Sequence, residues 1–408
     1  KANSGHPGLP LGAAPMAYVL WSRFIRHNPG NPLWPNRDRF VLSAGHGSAL
    51  LYAILHLNGY DLSLDDLKSF RQQGSKTPGH PEYDPSVGVE ATTGPLGQGF
   101  GMGAGMALAE RFLAARFNRP GFPVIDHFTY AIVSDGDLME GVASEAASLA
   151  GNLRLGKLIY LYDDNHISIE GDTAITFTED VCARFEAYHW HVQKVSDGND
   201  LQSIEDAIRA AQQEVERPSL IAVRTHIGYG SPKQDSASAH GEALGEEALR
   251  ATKENFGWPQ DQPFYVPAEV LSHLRAAVDQ GRTVEEAWRA EFEDYRKNYR
   301  VEAESFVRQF KGELPPEWDS EIPLFKPDDG PIATRAASGK VLNAIAERVD
   351  YMLGGSADLA PSTKTLISSS GDQEYNNHSG RNIRFGVREH GMGAIVNGMA
   401  LHGCLLYT

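Results

Sequence analysis

Short apolar runs along the chain stop abruptly at turns of Gly, Ser, Asp, Asn or His, and a helix-like stretch usually follows. Tyr130-Ala131-Ile132-Val133 is apolar at every position, as expected of a parallel strand covered on both faces. It ends at Ser134-Asp135-Gly136-Asp137, and residues 140–149 read as the next helix. Leu158-Ile159-Tyr160-Leu161-Tyr162 repeats the pattern and ends at Asp163-Asp164-Asn165. Arg39-Phe40-Val41-Leu42-Ser43 leads to Ala44-Gly45-His46-Gly47-Ser48 and a helix over 49–58, and Leu220 to Thr225 opens into a Gly-rich turn and a polar loop that reaches His240. Strand, polar turn and helix in series predict an α/β fold of doubly wound parallel sheets with helices on both faces.

The remaining stretches fill in around these units. Ser4-Gly5-His6-Pro7-Gly8 is a turn ahead of a helix over 11–21, and Thr77-Pro78-Gly79-His80-Pro81-Glu82 is a loop. Thr92 to Gly99 introduces a helix over 100–117 rich in small residues, whose glycines do not fit G-x-G-x-x-G and which no strand precedes. Residues 184–190 read as a mixed helix-to-strand segment, 203–215 as an amphipathic helix, and 265–311 as charged helices with a packing role. A Pro-rich stretch follows, and a second unit starts near Ile332. It has a helix over 334–349, strands at 351–353 and 383–387, and a small-residue helix over 392–402. The organisation expected is a first domain over 1–300, a linker over 301–331 and the first part of another domain over 332–408.

Composition narrows the function. The net charge is −16 and no basic stripe is present, which argues against nucleic acid and requires local cations for any anionic substrate. No apolar run approaches the roughly 20 residues that cross a bilayer. Two cysteines, Cys182 and Cys404, argue against a disulfide framework or a structural zinc site and suit a reducing, cytoplasmic location. The sequence opens on Lys1 rather than Met and both ends read as cut, which leaves a targeting peptide open.

Acids and amides at the carboxyl ends of parallel strands sit where open α/β sheets bind ligands. Asp135 can ligate a hard cation, Gly136 lets a diphosphate approach the backbone, and the side-chain oxygen of Asn165 can share the ion. His46, in a Gly turn ahead of a helix, is either a plain helix-start residue or a donor to phosphate. His6, His80 and His240 are solvated loop histidines on the bland reading and site residues on the other. Glu389 starts a helix that is apolar on nearly all sides, so it is expected to be buried, as a capping group or as a carboxyl of raised pKa.

Taken in order, Ser4-Gly5-His6-Pro7-Gly8, Ser43 to Ser48, Pro78 to Glu82, Thr93-Gly94-Pro95-Leu96-Gly97-Gln98-Gly99, Ser134-Asp135-Gly136 with Asp164-Asn165, and Phe385 to Glu389 resemble the transketolase family. The resemblance covers essentially the whole sequence but only part of a transketolase: the diphosphate-binding domain without its first helix, and the start of the pyrimidine-binding domain. It implies thiamine diphosphate with Mg²⁺ or Ca²⁺, and reversible ketol transfer from a ketose phosphate to an aldose phosphate through the cofactor ylid, as in the pentose phosphate pathway. It also implies a homodimer with active sites at the subunit interface. By motif position, Asp135, Asn165 and the carbonyl of Ile167 hold the metal, while His46, Gly94, Pro95, Leu96, Gly136, Asn165 and His240 hold the cofactor. His6, Arg335, Ser362 and Asp358 contact substrate. His6, His80 and His240 serve proton transfer with pKa values near neutrality, and Glu389 bonds the aminopyrimidine ring. Glu140 and Glu145 match acids that link the two sites. Ser134 departs from the family, whose motif usually has Gly there, and would be strained if φ were positive. The loop before His240 is about a residue shorter than one common version. A dihydroxyacetone synthase-like enzyme and a catalytically silent cofactor-binding fragment are the alternatives.

Overall fold

A computed structural model describes residues 1–407; Thr408, the last residue of the expected second unit, lies outside the described residues. The chain lays down β1 (Arg39–Leu42), β2 (Thr129–Ser134) and β3 (Leu158–Asp164), then a small antiparallel hairpin of β4 (Ile167–Ser168) and β5 (Gly171–Asp172), then β6 (His191–Val195) and β7 (Ser219–Arg224). Five of these strands join in the order β1-β2-β3-β7-β6, parallel throughout. Alternate side chains feed two apolar layers. Tyr130, Ile132, Ile159, Leu161, Ile221 and Val223 face the helices Ala14–Arg23, Ser48–Asn58 and Leu201–Gln213. Ala131, Val133, Leu158, Tyr160 and Tyr162 face Gln98–Phe117 and Gly141–Asn152. Burial on both sides is why the strands read as unbroken apolar runs; each large side chain so buried contributes about 1.5–3 kcal/mol.

The second unit carries β8 (Met352–Ser356), β9 (Asn382–Arg384) and β10 (Leu405–Tyr407), a parallel sheet in the order β10-β8-β9. Its last helix, Glu389–His402, nests on Gln98–Phe117 of the first unit with backbone against backbone. A Cβ added at Gly101 would lie 2.4 Å from the Cβ of Ala394, and one at Gly105 2.0 Å from the carbonyl oxygen of Ile395. From the other side, a Cβ at Gly398 would lie 1.9 Å from the carbonyl oxygen of Met102. Packing between the two helices therefore explains Gly101, Gly105 and Gly398. At the far end of this contact the buried rings of His127 and His402 meet, Nε2 to Nε2, at 3.0 Å.

Three expectations need correction. The linker expected over 301–331 is helical at its start. Arg300–Phe310 sets Ala303 and Phe306 into the first core, with the Phe306 ring 5.2 Å from that of Phe117, and the irregular stretch begins after Phe310. β6 emerges just after the segment read as mixed, because a half-buried polar edge strand carries little apolar signal. The turn after β2 is itself a short helix, Asp135–Met139, and Glu140 separates it from Gly141–Asn152.

Candidate active site

The carboxyl edge of the five-stranded sheet is organised by Asp137, which is fully buried. Its Oδ1 accepts the Ser43 hydroxyl at 2.7 Å, from the end of β1, and the Gly97 N–H at 2.8 Å, from the 92–99 loop. Its Oδ2 accepts the Ser134 N–H at 2.9 Å and the Ser134 hydroxyl at 3.1 Å. One carboxylate thus pins two strand ends and a loop. Ser134 has φ −120° and ψ 171°, ordinary extended backbone, so its departure from Gly brings no strain; its hydroxyl donates to the Asp137 carboxylate. Nothing in the sequence pattern separates Asp137 from the acids beside it.

Four histidines from separate segments converge at the same edge. His6 precedes the helix Gly8–Gly12, His46 lies in the tight turn after β1, His80 in the 77–82 loop, and His240 in the short helix Ser238–Gly241 beyond β7. Backbone contacts hold these segments together. The Gly228 N–H donates to the Gly8 carbonyl at 2.9 Å, and the Ser48 hydroxyl to the Gly79 carbonyl at 2.7 Å. The His6 ring centroid lies 5.5, 5.8 and 5.9 Å from those of His46, His80 and His240. Burial, and then the charges of His240 and His80, lowers the His6 pKa to about 4; burial and the neighbouring histidines lower His46 to about 3. Burial lowers His80 and His240 as well. The expected near-neutral values are thus corrected downward for the ligand-free chain: crowded, desolvated imidazoles resist protonation, and a bound anion would reverse this. Nδ1 of both His6 and His240 is buried without a partner among the described residues, so each can serve a ligand. Arg71, which the sequence reading missed, adds a cation here; its charge acts on His6 and His80.

Asp135 is buried. Tyr162 donates its hydroxyl to Oδ1, while Oδ2 has no hydrogen-bond partner among the described residues. Burial, opposed by that hydroxyl and reinforced by Asp163 and Asp164, pushes its pKa up to about 7. An unpartnered, desolvated carboxylate oxygen fits the role of a cation ligand. The Asn165 side chain lies in the turn after β3, and the Ile167 N–H donates to its Oδ1 at 2.9 Å. A carboxylate, an amide oxygen and the Ile167 carbonyl make an all-oxygen donor set suited to Mg²⁺ or Ca²⁺. The described residues hold no cluster of three or more His, Cys, Asp or Glu arranged for a metal, in keeping with a set that contains one acid. Beside it, Gly94 has φ +150°, and its amide lies where a Cβ on Gly45 would be 2.7 Å away. A Cβ on Gly136 would meet Leu96 at 2.7 Å. Gly94, Pro95 and Leu96 therefore lie alongside His46 and Gly136, a cradle that side chains would fill.

Glu389, Arg335, Asp358 and Ser362 do not join this group. All four are exposed. The expected burial of Glu389 is corrected: the helix Glu389–His402 is covered at Gly391, where the Glu145 carboxylate accepts the Gly391 N–H at 2.6 Å, and only its first two residues, Glu389 and His390, are exposed ahead of that contact. Asp358 lines a cleft of about 540 Å³ with Arg384, Arg388 and the last turns of Gly141–Asn152. That helix runs back from the carboxyl edge of the sheet, so the cleft lies away from the histidines. Glu140 is exposed and Glu145 half-buried.

Comparison with known proteins gives independent information. The family model described as the transketolase thiamine diphosphate binding domain matches residues 1–315, and the transketolase pyrimidine binding domain matches 330–408. The chain is 55% identical over 407 residues to the transketolase of Bacillus subtilis, covering 99% of this chain and 61% of that protein. It is 56% identical to the chloroplastic transketolase-1 of Arabidopsis thaliana, covering 98% of this chain and 54% of that one. A structure of transketolase from Leishmania mexicana superposes with a TM-score of 0.97 at 45% identity, over 99% of this chain and 61% of that one. A transketolase structure from Pichia stipitis in complex with sedoheptulose-7-phosphate gives 0.96 at 46% identity, over 98% and 60%. The chain thus spans about 61% of the length of the bacterial relative.

Proposed function

The chain belongs to the transketolase family, and on that premise we propose that it binds thiamine diphosphate with Mg²⁺ or Ca²⁺ and takes part in ketol transfer between sugar phosphates. The observation that carries this reading is the meeting of His6, His46, His80 and His240 at the sheet edge that also holds the unpaired Oδ2 of Asp135. Asp135, Asn165 and the Ile167 carbonyl hold the metal. Gly94, Pro95, Leu96, Gly136 and His46 receive the diphosphate, with His240 beside it. When bound, thiamine diphosphate supplies a carbanion nucleophile and an electron sink for breaking the carbon–carbon bond. The chain's own work is to bind, orient and move protons. His6, His80 and His240, neutral at pH 7, each present one donor and one acceptor to sugar hydroxyls.

Arg335, Ser362, Asp358 and Glu389, exposed here, are assigned to the site of a second copy: Glu389 to the aminopyrimidine ring, Asp358 to a sugar hydroxyl, and Arg335 and Ser362 to the sugar phosphate. A homodimer with sites at the interface follows from that assignment. Both cysteines are unpaired and buried, which suits a cytoplasmic setting, and no described helix is long and apolar enough to cross a membrane.

The decisive experiment is transfer from xylulose 5-phosphate to ribose 5-phosphate, with and without thiamine diphosphate and Mg²⁺, beside calorimetry of the cofactor on Asp135→Ala. Metal-dependent binding that the substitution abolishes, together with cofactor-dependent transfer, is expected. Unchanged affinity in Asp135→Ala overturns the metal assignment, and cofactor binding without transfer leaves a silent binding fragment.

A further inference from the structure

Asn165 ends in two chemically opposite groups of nearly equal size, and nothing in the residue itself decides which one faces a cation. Its surroundings do. Asn165 Nδ2 donates to Oδ2 of Asp163 at 2.8 Å. Asp163 is buried, and its other oxygen accepts the hydroxyl of Thr225, just past the end of β7. Both Asp163 oxygens accept hydrogen bonds here, so the carboxyl group holds the NH₂ end of the amide and turns Oδ1 away. On the far side the Ile167 N–H donates to that Oδ1 at 2.9 Å, which is the complementary half of the lock. A reversed amide would set oxygen against oxygen at Asp163 and N–H against N–H at Ile167. It would also present an N–H, not an oxygen lone pair, to the ion.

We propose that Asp163 is a positioning residue: it fixes the Asn165 amide in the one orientation that can ligate a divalent cation, and Thr225 holds Asp163 in place. This rests on the cofactor reading above. The arrangement explains why two strand ends commit side chains to a residue that touches no substrate. Asp163 and Thr225 extend from neighbouring strands, β3 and β7, paired in register through Asp163 and Val223. The orientation of the ligand is therefore built into the sheet rather than left to a mobile turn. Groups that orient a metal ligand typically change metal affinity about 10- to 100-fold when removed.

The test is calorimetric titration of Ca²⁺ into the protein in the presence of thiamine diphosphate, with the thermal midpoint as a fold control. Asp163→Asn, which can accept or donate, should weaken Ca²⁺ uptake about 10- to 100-fold. The exchanged pair Asp163→Asn with Asn165→Asp keeps one amide and one carboxylate but makes the ligand symmetric, so no orientation is needed; it should bind within about threefold of the original. Ca²⁺ affinity unchanged in Asp163→Asn overturns the inference, and so does an exchanged pair as weak as the single variant. If Asp163→Asn fails to fold, the exchanged pair alone decides. If the original protein takes up no Ca²⁺ with the cofactor present, the cofactor reading itself has failed, and this inference falls with it.

Discussion

His46 and His240 lie nearly face to face, with ring centroids 4.9 Å apart and planes 25° from parallel. Neutral imidazoles stack in this way, whereas two imidazolium ions at that distance would repel strongly in a partly desolvated site. In labelled protein without ligand, the ring signals of His46 and His6 should remain those of neutral imidazole down to about pH 5, since burial and neighbouring histidines lower them to about 3 and 4. The stability consequence has a definite sign. The unfolded chain takes up protons near 6.5, before the folded one does. Stability from these residues is complete above pH 6.5 and is lost as pH falls towards 4. A titration midpoint near 6.5 for both rings would refute this.

Glu389 should separate catalysis from folding. Its side chain stands clear of the single chain, so Glu389→Ala should shift the unfolding free energy by no more than about 0.5 kcal/mol. The same variant should retain diphosphate binding yet lose the protein-accelerated exchange of the cofactor's C2 proton, followed by NMR. Normal exchange would remove Glu389 from the chemistry, and a large loss of stability would mean that the carboxylate is part of the chain's own packing.

Ser134→Ala should cost about 1–2 kcal/mol in denaturant unfolding, from a lost hydrogen bond to a buried carboxylate. Because φ at Ser134 is −120°, Ser134→Gly has no left-handed strain to relieve and should not be more stable than the original. A stabilised Gly variant would contradict this account.

The strands were legible because β2 and β3 are covered on both faces, which leaves little room for polar residues inside them. β6 was not, since an edge strand with half-exposed His191 and Gln193 gives the same pattern as a loop. Asp135 could be picked out as the acid at a strand end, but Asp137 and Asp163 look identical to it in sequence. Only the fold reveals that the first binds a loop to two strands and the second an amide to a sheet. The four histidines were legible through motif resemblance, and their mutual approach was not, because it depends on loops from remote parts of the chain closing on one another. Their low pKa values follow from that closure. Glu389 was misjudged for a related reason: an apolar helix implies burial of the helix, and its first two residues lie ahead of the contact that covers it at Gly391.

The glycine contacts between Gln98–Phe117 and Glu389–His402 leave little side-chain volume to take up slack. The first helix starts directly from the loop that carries Gly94 to Leu96, and the second starts with Glu389. Side chains between helices act like rubber bushings, absorbing a few tenths of an ångström by rotating. Here the closest contacts are between backbone atoms, so the loop that carries Gly94 to Leu96 and the turn that carries Glu389 rest on one stiff joint. A side chain at Gly101, Gly105 or Gly398 would pry that joint open.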